Sequence, residues 1–528
     1  MSTTLSATAL SRLLGAWNNG TGPAYRDLAD VVRLLVLDGR VALDSALPSE
    51  RSLAAVLGIS RTTVTAAYSN LREQGFLQSR QGSRARTCIP QQAPFGRARF
   101  AGEGSADRRG SGGDSGPAPS RPGRATPSRG QADASALRTP AISTLSAPGL
   151  VAPEGLIDLA YAALPASGEL VHRAFAAAVT ELPALLPGFG YDAIGLLPLR
   201  QAIADRYTAA GVRTDPANIL VTSGAQHALT LVIKTLADPQ DRILVEHPSY
   251  PNALDAIHAA RCRPVPVAFG DNGWDLPALE SALAQQRPRM AYLVPDFHNP
   301  TGMIMPDPQR QRLLRAAAAA GTVPVVDETL RELNLDGVST TPMAAFSPSV
   351  ITIGSLSKSH WGGLRTGWIR AAQPLIQRLA ATRTTLDLGG PIMEQLAAAH
   401  LVRALDEPLP ARLDTLRRNR NALLKLLRLH LPEWEAAPPV GGLSVWCRLP
   451  GPSSTALAAL APEYGIRLAA GPRFGIGGAF ERHLRIPFTL PPEKLEAAVQ
   501  GLRAAQDRLD AAPQLRRTLK NAPAVAIA

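Results

Sequence analysis

Cysteine is scarce in this chain of 528 residues: Cys88, Cys262 and Cys447 are the three, widely separated and without metal-ligand spacing. No cysteine metal site is expected, and the three read as reduced thiols of a cytoplasmic protein. The first residues lack a basic stretch followed by an apolar core, so no secretory signal is expected. No apolar run approaches the roughly 20 residues of a membrane span. What is present is an ordinary globular share of hydrophobic residues, 45%, over a length sufficient for two to four domains. The formal charge of +12 and the pI of about 10.1 favour a polyanionic partner.

The first 90 residues read as a small helical domain. Residues 5–17 place Leu10, Leu13, Leu14 and Trp17 on one helical face, and Tyr25–Leu37 is a second amphipathic run. In the stretch LPSERSLAAVLGISRTTVTAAYSNLREQGFL, Glu50–Leu57 is a helix, Gly58 a turn and Ser60 the cap of the next helix. That helix buries Val64, Ala67, Tyr68 and Leu71 and keeps Arg61, Thr62 and Thr65 elsewhere. Phe76–Arg86 fits a hairpin turning at Gln81-Gly82, with Arg80, Arg84 and Arg86 along it. Two short helices with a glycine turn, the second polar at its start, followed by a wing, give helix-turn-helix geometry. A helical domain with a charged face is the plainer alternative.

LPSER, LGISRTTV and the tyrosine and leucine that follow resemble the GntR-type winged helix. The resemblance implies double-stranded DNA as partner, with Arg51, Ser60, Arg61, Thr62, Thr63 and Arg84 at phosphates or base edges. Gly82-Ser83-Arg84 departs from the Gly-Ser-Gly usual at the family's wing tip. Residues 91–150 then change character: Gly, Ser, Pro, Ala and Arg dominate, with eight arginines against four acids. Such a segment buries too little to fold and reads as a disordered linker, with an r.m.s. span of about 40–50 Å.

From residue 151 the composition is globular to about 510. Strands at Ile219–Val221, Ile243–Glu246, Pro264–Ala268, Met290–Val294 and Val323–Val326 alternate with helices, which predicts a mostly parallel sheet covered on both faces. Ligands of such sheets bind beyond the carboxyl ends of the strands. Ser223, Tyr250, Asn299, Asp327 and Ser355–Lys358 all follow such ends. Ser223, Gly224 and Ala225 open a helix, where free N–H groups attract an anion. In SLSKSHWGGLRTGW (355–368), Gly362 and Gly363 let the chain turn back, so that one amine, two hydroxyls and the Arg365 guanidinium can meet a small anionic ligand. Pyridoxal phosphate requires such groups; a solvated Ser/Lys loop would use them too.

The pattern resembles the fold type I pyridoxal-phosphate enzymes of the aspartate aminotransferase family. The resemblance implies that Lys358 bonds the cofactor's aldehyde, while Ser223, Gly224, Ala225, Ser355, Ser357 and Arg365 surround its phosphate. It further implies Asp327 at the pyridine nitrogen, Asn299 at the phenolate, Tyr250 stacked on the ring and Tyr191 reaching the phosphate of a partner subunit. Arg485 is the implied clamp for an effector carboxylate, with Arg473 a weaker candidate. Thr329 stands where relatives usually carry tyrosine.

The expected architecture is therefore multidomain α/β. Residues 1–90 form a winged helix-turn-helix domain with an N-terminal helix, residues 91–150 the linker, and residues 151–510 a fold type I transferase domain with a smaller C-terminal α+β part. Residues 511–528 are expected to be a disordered tail. The whole resembles the MocR/GabR regulators. That implies a homodimeric, cytoplasmic bacterial protein, nucleoid-associated when on DNA and without a membrane partner, which senses an amine, an amino acid or the vitamer itself. A working aminotransferase with a DNA-binding appendage is the alternative, and a sensor of the cofactor alone a third.

Overall fold

In the computed structural model, residues 4–15, 17–18, 23–78, 85–88, 155–270 and 273–519 are described. The wing tip with Arg84, the 91–150 segment and the last residues lie outside them. The head consists of α1 (Ala7–Leu14), α2 (Ala24–Leu37), α3 (Glu50–Leu57) and α4 (Arg61–Glu73), with strands β1 (Leu77–Gln78) and β2 (Arg86–Thr87) paired antiparallel. Gly58 ends α3 in the left-handed conformation and Ser60 caps α4 by accepting the Thr63 N–H. Val64, Ala67, Tyr68 and Leu71 are buried together against α1 and α2, as their spacing predicts. The Tyr68 hydroxyl donates to the Pro48 carbonyl at 3.0 Å, satisfying a polar group the core would otherwise strand.

The larger body opens with β3 (Ile157–Asp158), α5 (Gly168–Glu181) and α6 (Leu197–Ala209). Next come β4 (Ile219–Thr222), α7 (Ala225–Leu236), β5 (Arg242–His247), α8 (Pro251–Ala259), β6 (Arg263–Gly270), β7 (Gly273–Trp274), α9 (Leu276–Gln286), β8 (Met290–Leu293), α10 (Asp307–Ala320), β9 (Val323–Asp327), β10 (Ile351–Ser355) and β11 (Gly367–Arg370). Eight strands form one sheet in the order β4-β11-β10-β9-β8-β5-β6-β7. It is parallel from β10 through β6 and antiparallel where β11 and β7 pair. The sheet is thus mixed, because β11 returns between β10 and β4. Alternation along the strands serves two cores: Val221, Leu244 and Val326 face one, Leu220, Val245 and Val325 the other.

The chain continues through α11 (Gln373–Arg383), α12 (Ile392–Arg403) and the long α13 (Leu409–His430). The smaller part contains β12 (Glu435–Ala436), β13 (Ser444–Arg448), α14 (Ser454–Leu460), β14 (Ile466–Arg467), β15 (Ala469–Ala470), β16 (His483–Pro487) and α15 (Pro492–Ala511). Its sheet runs β12-β13-β16-β15 and packs on Leu416, Leu423, Leu457, Val499 and Leu502. Beyond residue 510 the expectation of disorder needs correction: α16 forms over Pro513–Leu519. Leu515 and Leu519, four apart and so on one helical face, pack against that core.

Candidate functional site

The carboxyl ends of β8, β9 and β10 open into a cavity of about 210 Å³. Asn299, Asp327, Ser355, Ser357 and Lys358 line it, joined by Ala225, Tyr250, Arg365 and Arg485. Lys358 Nζ donates to the Ala162 carbonyl at 2.9 Å. Burial, then the neighbouring positive charge of Arg485, pushes this amine down to about 8 from the ordinary 10.5, against the pull of Asp327. Asp327 is itself buried, accepting the Tyr292 hydroxyl at 2.7 Å and the Thr329 N–H at 2.9 Å. Tyr250 is pushed up to about 12, first by burial and then by Asp327, so its hydroxyl stays neutral.

Around the cavity the backbone forms a cup for an anion. Ser355 Oγ and Ser357 Oγ are 2.9 Å apart. Arg365, in the left-handed region at φ 47°, donates Nη2 to the Ser223 carbonyl at 3.0 Å. A Cβ on Gly224 would lie 2.9 Å from Arg365 Nη2, and one on Gly367 would lie 2.6 Å from the Gly224 carbonyl carbon. The backbone contact makes Gly367 necessary where the chain passes the start of α7, and Gly224 is required by its φ of 90° rather than by the movable tip of Arg365. Arg485 is fully buried on β16: Nη1 donates to Asn299 Oδ1 at 3.4 Å, Nη2 donates to the Ala160 carbonyl, and Nε has no partner. Burial holds it down at about 10. Among the described residues no carboxylate pairs with Arg365 or Arg485. Two unneutralised guanidiniums and one depressed lysine amine in one cavity constitute an anion site, and this donor set fits an aldehyde-bearing phosphate ester.

Most of the sequence-predicted residues line this cavity; Ser223 and Gly224 meet Arg365 without lining it, and two others lie away from it. Tyr191 stands 75% exposed and does not line the cavity. Arg473 pairs with Asp255 at 3.3 Å instead. Sequence reading missed Tyr292, Tyr161 and the Ala162 carbonyl. The signal for Tyr292 was a hydroxyl within an otherwise aliphatic strand, which demands a buried acceptor. A larger cavity of about 430 Å³ lies beyond Thr329 and Ser355, lined by Tyr207, Glu328, Trp368 and Leu413. Among the described residues no lysine lines it.

On the head, Arg51, Ser60, Arg61, Thr62 and the start of α4 face solvent, and Thr63 is half-buried. Ser60 Oγ lies 2.7 Å from Thr62 Oγ1 and 2.8 Å from Thr63 Oγ1. Glu50 accepts the Thr65 hydroxyl at 2.8 Å, pinning α3 to α4. The side chain of Arg61 is 71% exposed with its Nε 3.9 Å from Glu50, too long for more than a loose pair. The polar N-terminal end of the helix is thus presented outward while its apolar face is fixed.

Comparison with known proteins agrees with both halves. Residues 189–502 match the aminotransferase class I and II family and residues 24–86 the gntR family of bacterial regulatory proteins. The chain is 35% identical over 320 residues to a 2-aminoadipate transaminase of Thermus thermophilus, covering 58% of this chain and 79% of that one. It is 26% identical over 438 residues to the uncharacterized HTH-type transcriptional regulator YisV of Bacillus subtilis, covering 80% of this chain and 84% of that one. The crystal structure of a Thermus thermophilus alpha-aminoadipate aminotransferase, complexed with N-(5'-phosphopyridoxyl)-L-leucine, superposes with a TM-score of 0.63 at 32% identity over 68% of this chain and 94% of that one. Pyridoxal phosphate is thereby implied as cofactor. With a gntR-family DNA-binding domain preceding its transferase domain, the chain belongs to the class I and II aminotransferase family and has the architecture of the MocR/GabR regulators.

Proposed function

We propose that this protein is a homodimeric transcription regulator that reads an amine, an amino acid or the vitamer through pyridoxal phosphate at Lys358. The observation that carries the reading is the buried Arg485, without an acid partner among the described residues, in the same cavity as a lysine amine held near 8. The cofactor, when bound, supplies an electron-withdrawing ring and an exchangeable link to an amine. The chain's residues do the rest. Ser355, Ser357, Arg365 and the N-terminus of α7 bind the phosphate, with Ser223 and Gly224 shaping the cup. Asp327, oriented by Tyr292, holds the proton on the pyridine nitrogen. Asn299 donates to the phenolate, Tyr250 covers the ring, and Arg485 takes the carboxylate of an amino acid. Tyr191 completes the cup of a second copy. Arg51, Arg61 and the hydroxyls of Ser60, Thr62 and Thr63, with Arg84 of the wing, contact the operator of a cytoplasmic, nucleoid-associated protein.

An active aminotransferase is the second reading, favoured by the completeness of the Lys358, Asp327, Asn299 and Arg485 set. Two assays separate them. Lys358→Ala, tested on duplexes selected from a random library, should lose any response of DNA affinity to amino acids; a response equal to the parent's sinks the regulatory reading. Sustained turnover of an amino donor with a keto acid would favour the enzyme.

A further inference from the structure

One short segment touches both the proposed carboxylate site and the head. It leaves β15 at Gly471 and enters β16 at His483, the strand that bears Arg485. At one end the Phe474 ring lies 4.9 Å from the Arg485 guanidinium. The Phe474 carbonyl accepts the N–H of Ser249, the residue before Tyr250, at 2.8 Å. In the middle, the Ile476 N–H donates to His247 Nε2 at 3.0 Å, and the His247 ring lies 4.6 Å from Phe480. At the other end, the Phe480 N–H donates to Asp38 Oδ1 at 3.1 Å. Phe480 and Ala479 are buried with Leu10, Leu14, Trp17 and Leu28 in the core of the head itself. Trp446, the strand partner of Arg485, bridges the ends, 5.4 Å from Phe474 and 6.0 Å from Phe480.

The fit is close and locally strained. A Cβ on Gly39, just after Asp38, would come within 2.1 Å of Ala268 Cβ, and one on Gly477 within 3.1 Å of Leu37 Cδ2. Phe480 sits at φ 68°, a region costly for a bulky L-residue, and is held there by its surroundings. A strained aromatic inserted in another domain's core is a joint whose loss the head would register.

We infer that Phe474–Phe480 is the strap through which ligand binding at Arg485 reaches the DNA-binding head. The inference rests on the proposed role of Arg485. A carboxylate on Arg485 neutralises the cation that the Phe474 ring faces, and a cation–π contact weakens when its cation is paired. Phe474, Trp446 and Phe480 then repack and the head is held less tightly. Occupancy differs energetically between docked and loosened arrangements, as any ligand-driven shift requires.

The test is hydrogen exchange followed by mass spectrometry on the full, cofactor-loaded chain, with L-alanine, L-glutamate and L-2-aminoadipate as probes. Cofactor absorbance reports probe binding in the same samples. Where a probe shifts the absorbance, amides of 28–40 and 476–481 should exchange several-fold faster. Phe480→Ala should exchange fast from the start and show no further response, and because the coupling is reciprocal the probe's half-saturation should fall rather than rise. Phe474→Ala, without any probe, should loosen 28–40 likewise. Unchanged exchange in 28–40 despite a bound probe, or in Phe474→Ala, overturns the strap. If no probe moves the absorbance, the proposed sensing of amino acids fails, and the Phe474→Ala measurement still decides whether the segment holds the head.

Discussion

Lys358 offers the most quantitative prediction. Only a neutral amine attacks an aldehyde, and burial holds this one near 8 rather than 10.5. At pH 7 the neutral fraction rises from about one in 3,000 to about one in ten, roughly a 300-fold gain. The rate of cofactor capture by the apo protein should therefore level off just above pH 8, while capture by a free Nα-acetyl-lysine amide keeps climbing to about pH 10.5. Replacing Arg485 by Gln removes a like charge, so the midpoint should move up and capture at pH 7 should slow. The same shift appears in stability. Between pH 8 and 10.5 the unfolded chain binds more protons at this lysine than the folded one, so unfolding free energy rises with pH in that window. Below pH 8 the penalty is present in full, at about 3 kcal/mol. Lys358→Met should thus be more stable than the parent at pH 7, with the gap closing by pH 10.5 in urea titrations. A capture rate still climbing tenfold per pH unit through pH 10, together with a pH-independent gap, would refute the reasoning.

Other outcomes follow from the same geometry. Arg61→Ala should weaken DNA binding and reduce the slope of log affinity against log salt by about 1. The exposed side chain should cost under about 0.5 kcal/mol of stability in the same protein. Tyr68→Phe strands the Pro48 carbonyl and should lower head stability by about 1–2 kcal/mol in denaturant melts. Arg485→Gln should leave the absorbance of the lysine-bound cofactor in place. Half-saturation by a responding amino acid should rise about thirtyfold, for roughly 2 kcal/mol of a buried charged contact. Borohydride reduction followed by peptide mapping should place the cofactor on Lys358, and a label on any other lysine would refute that assignment.

Much of this site was legible because local signals coincide. Capping serines, glycine turns and strand–helix alternation put Ser223, Asp327 and Lys358 at strand ends before any tertiary information is used. The head was legible for the same reason, down to the burial of Val64 and Tyr68. What escaped depends on distant pairing. The strand Gly367–Arg370 directly follows the lysine loop, and only the sheet shows that it inserts antiparallel beside Ile219–Thr222. The contact between Arg365 and Ser223 spans 142 positions, and that between Phe480 and Asp38 spans 442. No periodicity marks either. Arg485 sits in a strand whose alternation does not show which face is covered, and its burial arises from Ala160 and Phe474, which arrive from elsewhere.

The close approach of Gly39 to Ala268 has a consequence for how such regulators diversify. The docking turn at Leu37–Gly39 tolerates almost no added volume, whereas Arg61 and Thr62 face open solvent. On the proposed operator contacts, promoter preference can therefore drift, or be rewritten by design, through the outward residues while the seat on the body stays unaltered. A graft that exchanges only the exposed start of the reading helix should inherit its new address without losing the old conversation with the cofactor domain.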